Sequence, residues 1–297
     1  MYFLVLYNIW FKEMVKIKDR QKGILLMLLS ALCFAIMASF VKSLENYPVT
    51  EKVFFRNFLS LLVSIFIIVK NKHSFKGNNK KFLLMRSITG MLGIAFYFYA
   101  ISHLPLADAV IMNNMSPFFV AILSFIILKE NITKSQIGAL FLAIIGVTLI
   151  TRPTLNVTVV PAVIGLLSAF FAGCSYVSVR YLRNTDSPDV IVFYFALITS
   201  LCMLPFALAG DWLFPMGVDL LKAIAIGIFA TAAQYSLTYA YRFAEASEIS
   251  IYNYTSIIFS SIIGIAIFSE KLEIYTILGG LLIIGGGFIN YYSKRKV

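Results

Sequence analysis

Apolar residues fill this chain in long stretches, and the polar residues gather in short connections between them. Within a stretch there is neither the strict alternation of a strand nor the polar face of a water-exposed helix. The pattern predicts helices over 23–42, 50–69, 82–101, 107–128, 136–151, 160–180, 189–209, 219–241, 247–268 and 275–293. At 1.5 Å per residue, roughly 17–23 residues cross a hydrocarbon core of about 30 Å. Ten such segments predict an all-α integral membrane protein. Gly90, Gly93, Pro117, Pro205, Gly264, Gly285, Gly286 and Gly287 fall inside spans. They do not count against helix, because neighbouring helices can satisfy the backbone groups they free.

The second half repeats the first. Leu28-Leu29-Ser30-Ala31 recurs 138 positions on as Leu166-Leu167-Ser168-Ala169, and Val41-Lys42 as Val179-Arg180. At an offset of 140, Tyr99-Ala100 recurs as Tyr239-Ala240, Asn113 as Asn253, Ser116 as Ser256 and Glu130 as Glu270, while Asp108 falls opposite Glu248. The expected organisation is a cytoplasmic segment 1–22, five-helix repeats over 23–151 and 160–293, and a cytoplasmic tail 294–297. Five is odd, so the second copy enters the membrane upside down relative to the first. Duplicated hydrophobic units of this kind build many secondary transporters.

Composition agrees with the membrane reading: 60% of residues are hydrophobic, 13% are charged, and mean hydropathy is +0.87. Soluble domains carry about 45–50% apolar residues. Charge adds the orientation. Lys12, Lys16, Lys18, Arg20, Lys22, Lys70, Lys72, Lys76, Lys80, Lys81, Lys129, Lys134, Arg180, Arg183, Arg242, Lys294, Arg295 and Lys296 share one face of the expected topology, and Lys42, Lys52, Arg152, Lys222 and Lys271 the other. Arg56 and Arg86 lie inside spans. Cytoplasmic loops are enriched in Lys and Arg, so both termini are expected in the cytoplasm and the chain in a bacterial-type inner membrane. Topology thus accounts for the net charge of +11, and no nucleic-acid partner is implied. Residues 1–11 are apolar but too short to span, with basic residues after them where a signal peptide has them before. Translation is expected to start at Met14, the alternative being a short interfacial segment.

The chemistry-bearing residues point away from catalysis. Cys33, Cys174 and Cys202 lie in spans without paired spacing, and His73 and His103 are far apart in sequence. No metal, cofactor or enzyme motif follows from them. The expected partners are the lipid bilayer and a small-molecule substrate; oligomeric state is not legible.

Polar side chains inside spans are the site candidates, since an unpaired polar group in hydrocarbon costs several kcal/mol. Arg56 needs a partner or a water-filled cavity; it is either a substrate contact or a structural arginine near the outer rim. Arg86 is expected about a turn from the cytoplasmic end of its span. There it would snorkel to water or meet Glu130 as a gate or structural pair. Asn113 and Asn114 in one copy, and Tyr252, Asn253 and Tyr254 in the other, are expected in opposite halves of the bilayer. They are either substrate contacts or helix–helix bonds. Gln234 with Tyr235 presents the same choice. Tyr97, Tyr99, Tyr176 and Tyr239 lie away from loop ends, where a phenol could stack on a ring and bond its edge. No carboxylate lies deep in a span; the nearest are Asp108, Glu130, Glu248 and Glu270. That favours facilitated diffusion or exchange over tight proton coupling.

Phe55-Arg56-Asn57, Arg86, and the run from Tyr97 through Pro105, Ala107 and Pro117 to Glu130 carry a resemblance, continued by Gln136, Gly138 and Gly146-Val147. Tyr239, Ala240, Ala246, Glu270, Gly279 and Gly286 repeat it in degenerate form. Over Gly23 to Tyr292 the chain resembles the drug/metabolite transporter superfamily in its ten-helix EamA-type branch. The resemblance implies alternating access around a central cavity; Arg56, Arg86, Glu130 and Glu270 are the candidates for gating or structural charge. Phe54-Phe55-Arg56-Asn57 and the third and fourth spans look more like uptake carriers for riboflavin and S-adenosylmethionine. Mid-span tyrosines and paired amides make riboflavin uptake the first expectation. An exporter of amino acids or drugs, an S-adenosylmethionine carrier, and a membrane receptor or scaffold without transport are the alternatives.

Overall fold

The computed structural model describes residues 2–128, 159–209, 213–243, 250–270 and 273–293, with 137–138, 141–142, 144–146 and 149 between them. Among these residues every regular element is helical: α1 (Tyr2–Lys42), α2 (Val49–Lys70), α3 (Lys80–His103), α4 (Leu106–Asn113), α5 (Ser116–Leu128), α6 (Val159–Leu182), α7 (Pro188–Ala209), α8 (Val218–Phe243), a 3₁₀ turn (Ser250–Tyr254), α9 (Thr255–Phe268) and α10 (Ile274–Ser293). Seven described segments are long and apolar enough to cross a membrane, one of them, Asp108–Ile127, running through α4 and α5, and α9 and α10 supply shorter apolar segments. Most of the span expected over 136–151, together with Glu130, Arg152, Glu248 and the tail 294–297, lies outside the described residues.

The expected span over 23–42 corresponds to Gln21–Lys42, the membrane-capable part of α1, which runs on N-terminally from Tyr2. One expectation is corrected. The continuous helix expected over 107–128 is broken: α4 stops at Asn113, Asn114 caps it at φ −71° ψ 3°, and α5 restarts at Ser116. The cause is local. Pro117 has no N–H to give the Asn113 carbonyl four residues back, which is where α4 stops, and the Asn114 side-chain amide adds a bond to the Val110 carbonyl at 2.8 Å. The second copy is interrupted at the corresponding place, where the 3₁₀ turn carrying Asn253 precedes α9.

The halves interlock. Helix α1 packs along α8, α3 along α6, and α2 against both α7 and α8. Small and hydroxylated residues bring the backbones together, as expected where lipid removes the hydrophobic drive between helices. Ser30 donates to the Ala233 carbonyl at 2.9 Å between α1 and α8, and Ser60 and Thr231 hydroxyls meet at 2.7 Å between α2 and α8. At Gly93 of α3 a Cβ would come within 3.1 Å of the Ala172 backbone nitrogen in α6. Met37, Val53, Phe98, Ile101, Ile111 and Ile226 belong to one buried cluster, and Met27, Leu83, Leu182, Ile191 and Leu237 to a second. Large apolar residues such as Phe66, Ile126, Leu201 and Leu281 face outward, which suits lipid as the surrounding solvent.

Alternate connections share an end of the bundle. At one end Tyr47 donates to Asp219 at 3.2 Å, Lys52 to Ser102 at 2.9 Å, and the Leu213 amide to Glu51 at 3.0 Å. At the other end Asp186 accepts from the Asn78 amide at 2.6 Å, and Asp189 meets His73 at 3.0 Å.

Candidate functional site

Between the halves lies a cavity enclosing about 720 Å³ of space, its open mouth included. Helices α1, α2, α3, α4, α6, α7 and α8, the Asn114 corner and the segment around Asn253 and Ser256 contribute to its wall. Its apolar surface comes from residues such as Phe34, Met37, Ile94, Phe98 and Val110.

Two cations stand in this wall. Arg86 and Arg56 are 1% and 2% exposed. The Arg86 guanidinium carbon lies 3.9 Å from the centroid of Phe195, and that of Arg56 lies 5.6 Å from the same ring. A ring face attracts a cation, which helps to hold both groups in place. It does not neutralise them. Both centres therefore lie within about 10 Å of each other, where mutual repulsion at an effective dielectric near 20 is on the order of 1.5 kcal/mol or more. Arg56 donates to Asn57 at 2.9 Å, its Nε is unsatisfied, and so is the buried Nε of Arg86. Among the described residues no Asp or Glu lines the cavity.

Arg86 thus departs from expectation. It sits seven positions into α3, which starts at Lys80, and reaches the central cavity rather than snorkelling to the cytoplasmic surface. Space explains it: a Cβ on Gly90, one turn along α3, would collide with the Arg86 guanidinium and the Phe195 ring. The expected partner Glu130 lies outside the described residues.

The amides also meet. Asn253 donates to Asn114 at 3.1 Å, Asn114 donates to Ser256 at 2.9 Å, and Asn113 donates to Ser168 at 3.0 Å. The two breaks are therefore side by side. Asn113, Asn114, Asn253 and Gln234 all line the cavity while bonding one another or their neighbours. Tyr97 and Tyr176 line it too. The remaining aromatic candidates are elsewhere. Tyr99 stacks on His103 with centroids 4.1 Å apart, the Tyr239 hydroxyl reaches Asp189 at 3.4 Å, Tyr235 is half-buried with its hydroxyl outside the cavity wall, and Tyr252 packs on the second cluster. Helical position alone could not separate these from Tyr97, since the face each presents depends on its neighbours.

Phe195, Ser175 and Ser256 also line the cavity, though the pattern of polar residues does not single them out. Phe195 carries no signal among 27 phenylalanines. Ser256 was visible as the repeat partner of Ser116, and Gly90 as the residue one helical turn beyond Arg86.

Glu270 occupies a different region. It pairs with Lys42 and accepts the Leu106 amide on both oxygens, at 3.0 and 3.1 Å. Lys42 also donates to the Leu104 carbonyl at 3.3 Å. Ser269, in the left-handed region at φ 52°, ends α9 just before Glu270, whose amide turns back to the Gly264 carbonyl at 3.1 Å. A non-glycine residue there costs on the order of 1 kcal/mol. Beside it Thr276 donates to Asp108 at 3.0 Å.

Comparison with known proteins places this arrangement. The chain matches the EamA-like transporter family twice, over residues 21–152 and 160–292. It is 33% identical over 267 residues to the pseudopaline exporter of Pseudomonas aeruginosa, covering 89% of this chain and 94% of that one. An uncharacterized transporter of Helicobacter pylori is 32% identical over 90% of this chain and 93% of its own. The S-adenosylmethionine uptake transporter of Rickettsia felis is 25% identical over 83% and 84%. A solved crystal structure, 16% identical, superposes with a TM-score of 0.71 over 93% of this chain and 98% of its own, so the fold is shared. This multi-pass membrane protein belongs to the EamA-like transporter family of the drug/metabolite transporter superfamily.

Proposed function

We propose that the chain is a secondary transporter that carries a small organic metabolite through the central cavity by alternating access. Ten spans form inverted five-helix repeats over 23–151 and 160–293, with both termini on the cytoplasmic side of the inner membrane. The observation that carries the reading is the composition of the cavity wall. Arg56, Arg86, Asn113 and Asn114 come from the first half, and Tyr176, Gln234, Asn253 and Ser256 from the second. A site shared by two halves changes its access when one half rocks against the other. The reciprocal packing of α1 on α8 and α3 on α6, first-of-one on third-of-other in each case, supports the inverted relation.

The absence of a carboxylate from the described cavity wall supports exchange or facilitated diffusion over tight proton coupling. The named relatives include both an exporter and an uptake carrier, so direction follows from gradients and not from the fold. None of these relatives carries riboflavin in its name, and the wall that holds the tyrosines also holds two cations, so riboflavin is not retained as the substrate. Reconstitution into sealed vesicles tests the reading: saturable, competable flux of a radiolabelled metabolite is expected, and binding without flux would turn the chain into a receptor. Reporter fusions at Val297 and beside Arg152 are expected to report opposite compartments.

A further inference from the structure

We infer that the cavity takes an organic anion, with a carboxylate received by Arg86 and Arg56 around Phe195; this rests on the transporter reading above. Three observations meet here. Both arginines are almost wholly buried, yet both line a cavity and both have an unsatisfied Nε. Among the described residues no acidic side chain faces that cavity, so neutralisation is left to what enters it. The Phe195 ring lies against both guanidiniums and offers them a π-face but no acceptor. Buried charge without a counterion is costly, and planar guanidinium forks match carboxylate oxygens two by two.

The rest of the wall defines the remainder of the ligand. Asn113, Asn253 and Gln234 supply donors and acceptors away from the cations, and Phe34, Met37 and Ile94 supply apolar surface. The fitting class is a metabolite with one or two carboxylates, a short carbon skeleton and a polar group at the far end. A neutral ring leaves both cations unanswered, and a purely cationic substrate adds a third positive charge.

The test uses the purified full chain in nanodiscs, with binding read by calorimetry and by thermal shift. The probes are succinate and glutarate, N-acetylglycine, inorganic phosphate, riboflavin and S-adenosylmethionine. A carboxylate probe is expected to bind best, the dicarboxylates above N-acetylglycine. Arg86→Gln is expected to weaken that binding by roughly 10- to 150-fold, the range for removing a hydrogen bond to a charged group. Arg86→Lys, which keeps the charge but loses the fork, is expected to fall between. Unliganded melting temperatures of both variants establish folding. Phosphate binding best, with no carboxylate effect, assigns the pair to a phosphoryl group and overturns the inference. So do riboflavin binding best, S-adenosylmethionine binding best with an affinity that Arg86→Gln leaves unchanged, a carboxylate response that survives Arg86→Gln, or no response to any carboxylate. Vesicle flux separates the two readings: arginine-dependent carboxylate binding without flux refutes transport alone, and arginine-independent flux of a neutral probe refutes the anion site alone.

Discussion

Two regions of this molecule bury positive charge and treat it in opposite ways. At one end of the bundle Lys42 meets Glu270, with side chains 13% and 12% exposed, and the carboxylate is completed by the Leu106 amide while the ammonium reaches the Leu104 carbonyl. That charge is satisfied by the protein itself. In the central cavity Arg86 and Arg56 are more deeply buried and face an aromatic ring. A cluster that is complete in the empty protein holds the fold together. A cluster that lacks its counterion stores a cost that a ligand can relieve, which is how function is expected to oppose stability at a site.

Arg86→Met sharpens the comparison most. It removes a deeply buried cation and leaves an unbranched apolar side chain in contact with Phe195 and Gly90. Vesicle flux is expected to fall by about 30-fold or more, since losing a charge-assisted anchor costs about 2–5 kcal/mol. The empty protein is expected to melt higher, because replacing buried charge by apolar volume is often stabilising by about 1–4 kcal/mol. A variant that loses flux and also melts lower would mean that Arg86 is structural, and the contrast with Lys42 would disappear.

Glu270→Gln applies a similar charge removal at the satisfied end and is expected to do the opposite. It leaves Lys42 without its counterion and weakens acceptance of the Leu106 amide. Breaking a buried pair from one side costs about 3–5 kcal/mol, and the partial exposure here brings the expectation to about 2–3 kcal/mol. Removing both charges, as Lys42→Met with Glu270→Gln, is expected to recover more than half of the loss. Additive losses in the double variant, read by thermal melting in nanodiscs, would show that the pair does not act as a unit.

The fold was largely legible because lipid demands long uninterrupted apolar runs, and most described helices end within about two residues of the expected limits. The helix break after Asn113 was not, because hydropathy is blind to the N–H that Pro117 fails to give the Asn113 carbonyl. Residue type marked Arg56, Arg86, Asn113, Asn114, Gln234 and Asn253 as polar groups needing an explanation. It could not say where each points. Arg86 was placed by its distance from a span end, and its real position follows from the space that Gly90 leaves one turn away. Tyr97 and Tyr99 differ by two residues on one helix and therefore face different ways: Tyr97 lines the cavity, while Tyr99 stacks on His103.

Two glycines of α3 extend the comparison at smaller scale. Gly90→Ala puts a methyl group against the Arg86 guanidinium and the Phe195 ring, and the long side chain can give way. Carboxylate binding is expected to weaken about tenfold, while stability changes by less than about 1 kcal/mol because alanine is the better helix former. Gly93→Ala meets the Ala172 backbone at 3.1 Å, which gives way less easily, and is expected to lower stability by about 1–3 kcal/mol. The same effect from both substitutions, in binding and in melting, would erase the distinction between cavity wall and helix interface.

The amides are expected to show the smallest effects, because they belong partly to each region. Asn253 donates to Asn114 and Asn113 donates to Ser168, so each ties helices together, yet both also line the cavity. A hydrogen bond between membrane helices is worth only about 0.6 kcal/mol on average, since the unfolded helices find other partners. Asn113→Ala and Asn253→Ala are therefore expected to leave insertion and expression intact and to change melting little. Flux is expected to fall by about three- to tenfold through loss of contact with the substrate's polar end. The ratio of the two effects decides their role. If melting drops while flux per folded molecule is parental, Asn113 and Asn253 are cross-links between the two halves. The polar end of the substrate is then met by Gln234 and the tyrosines instead.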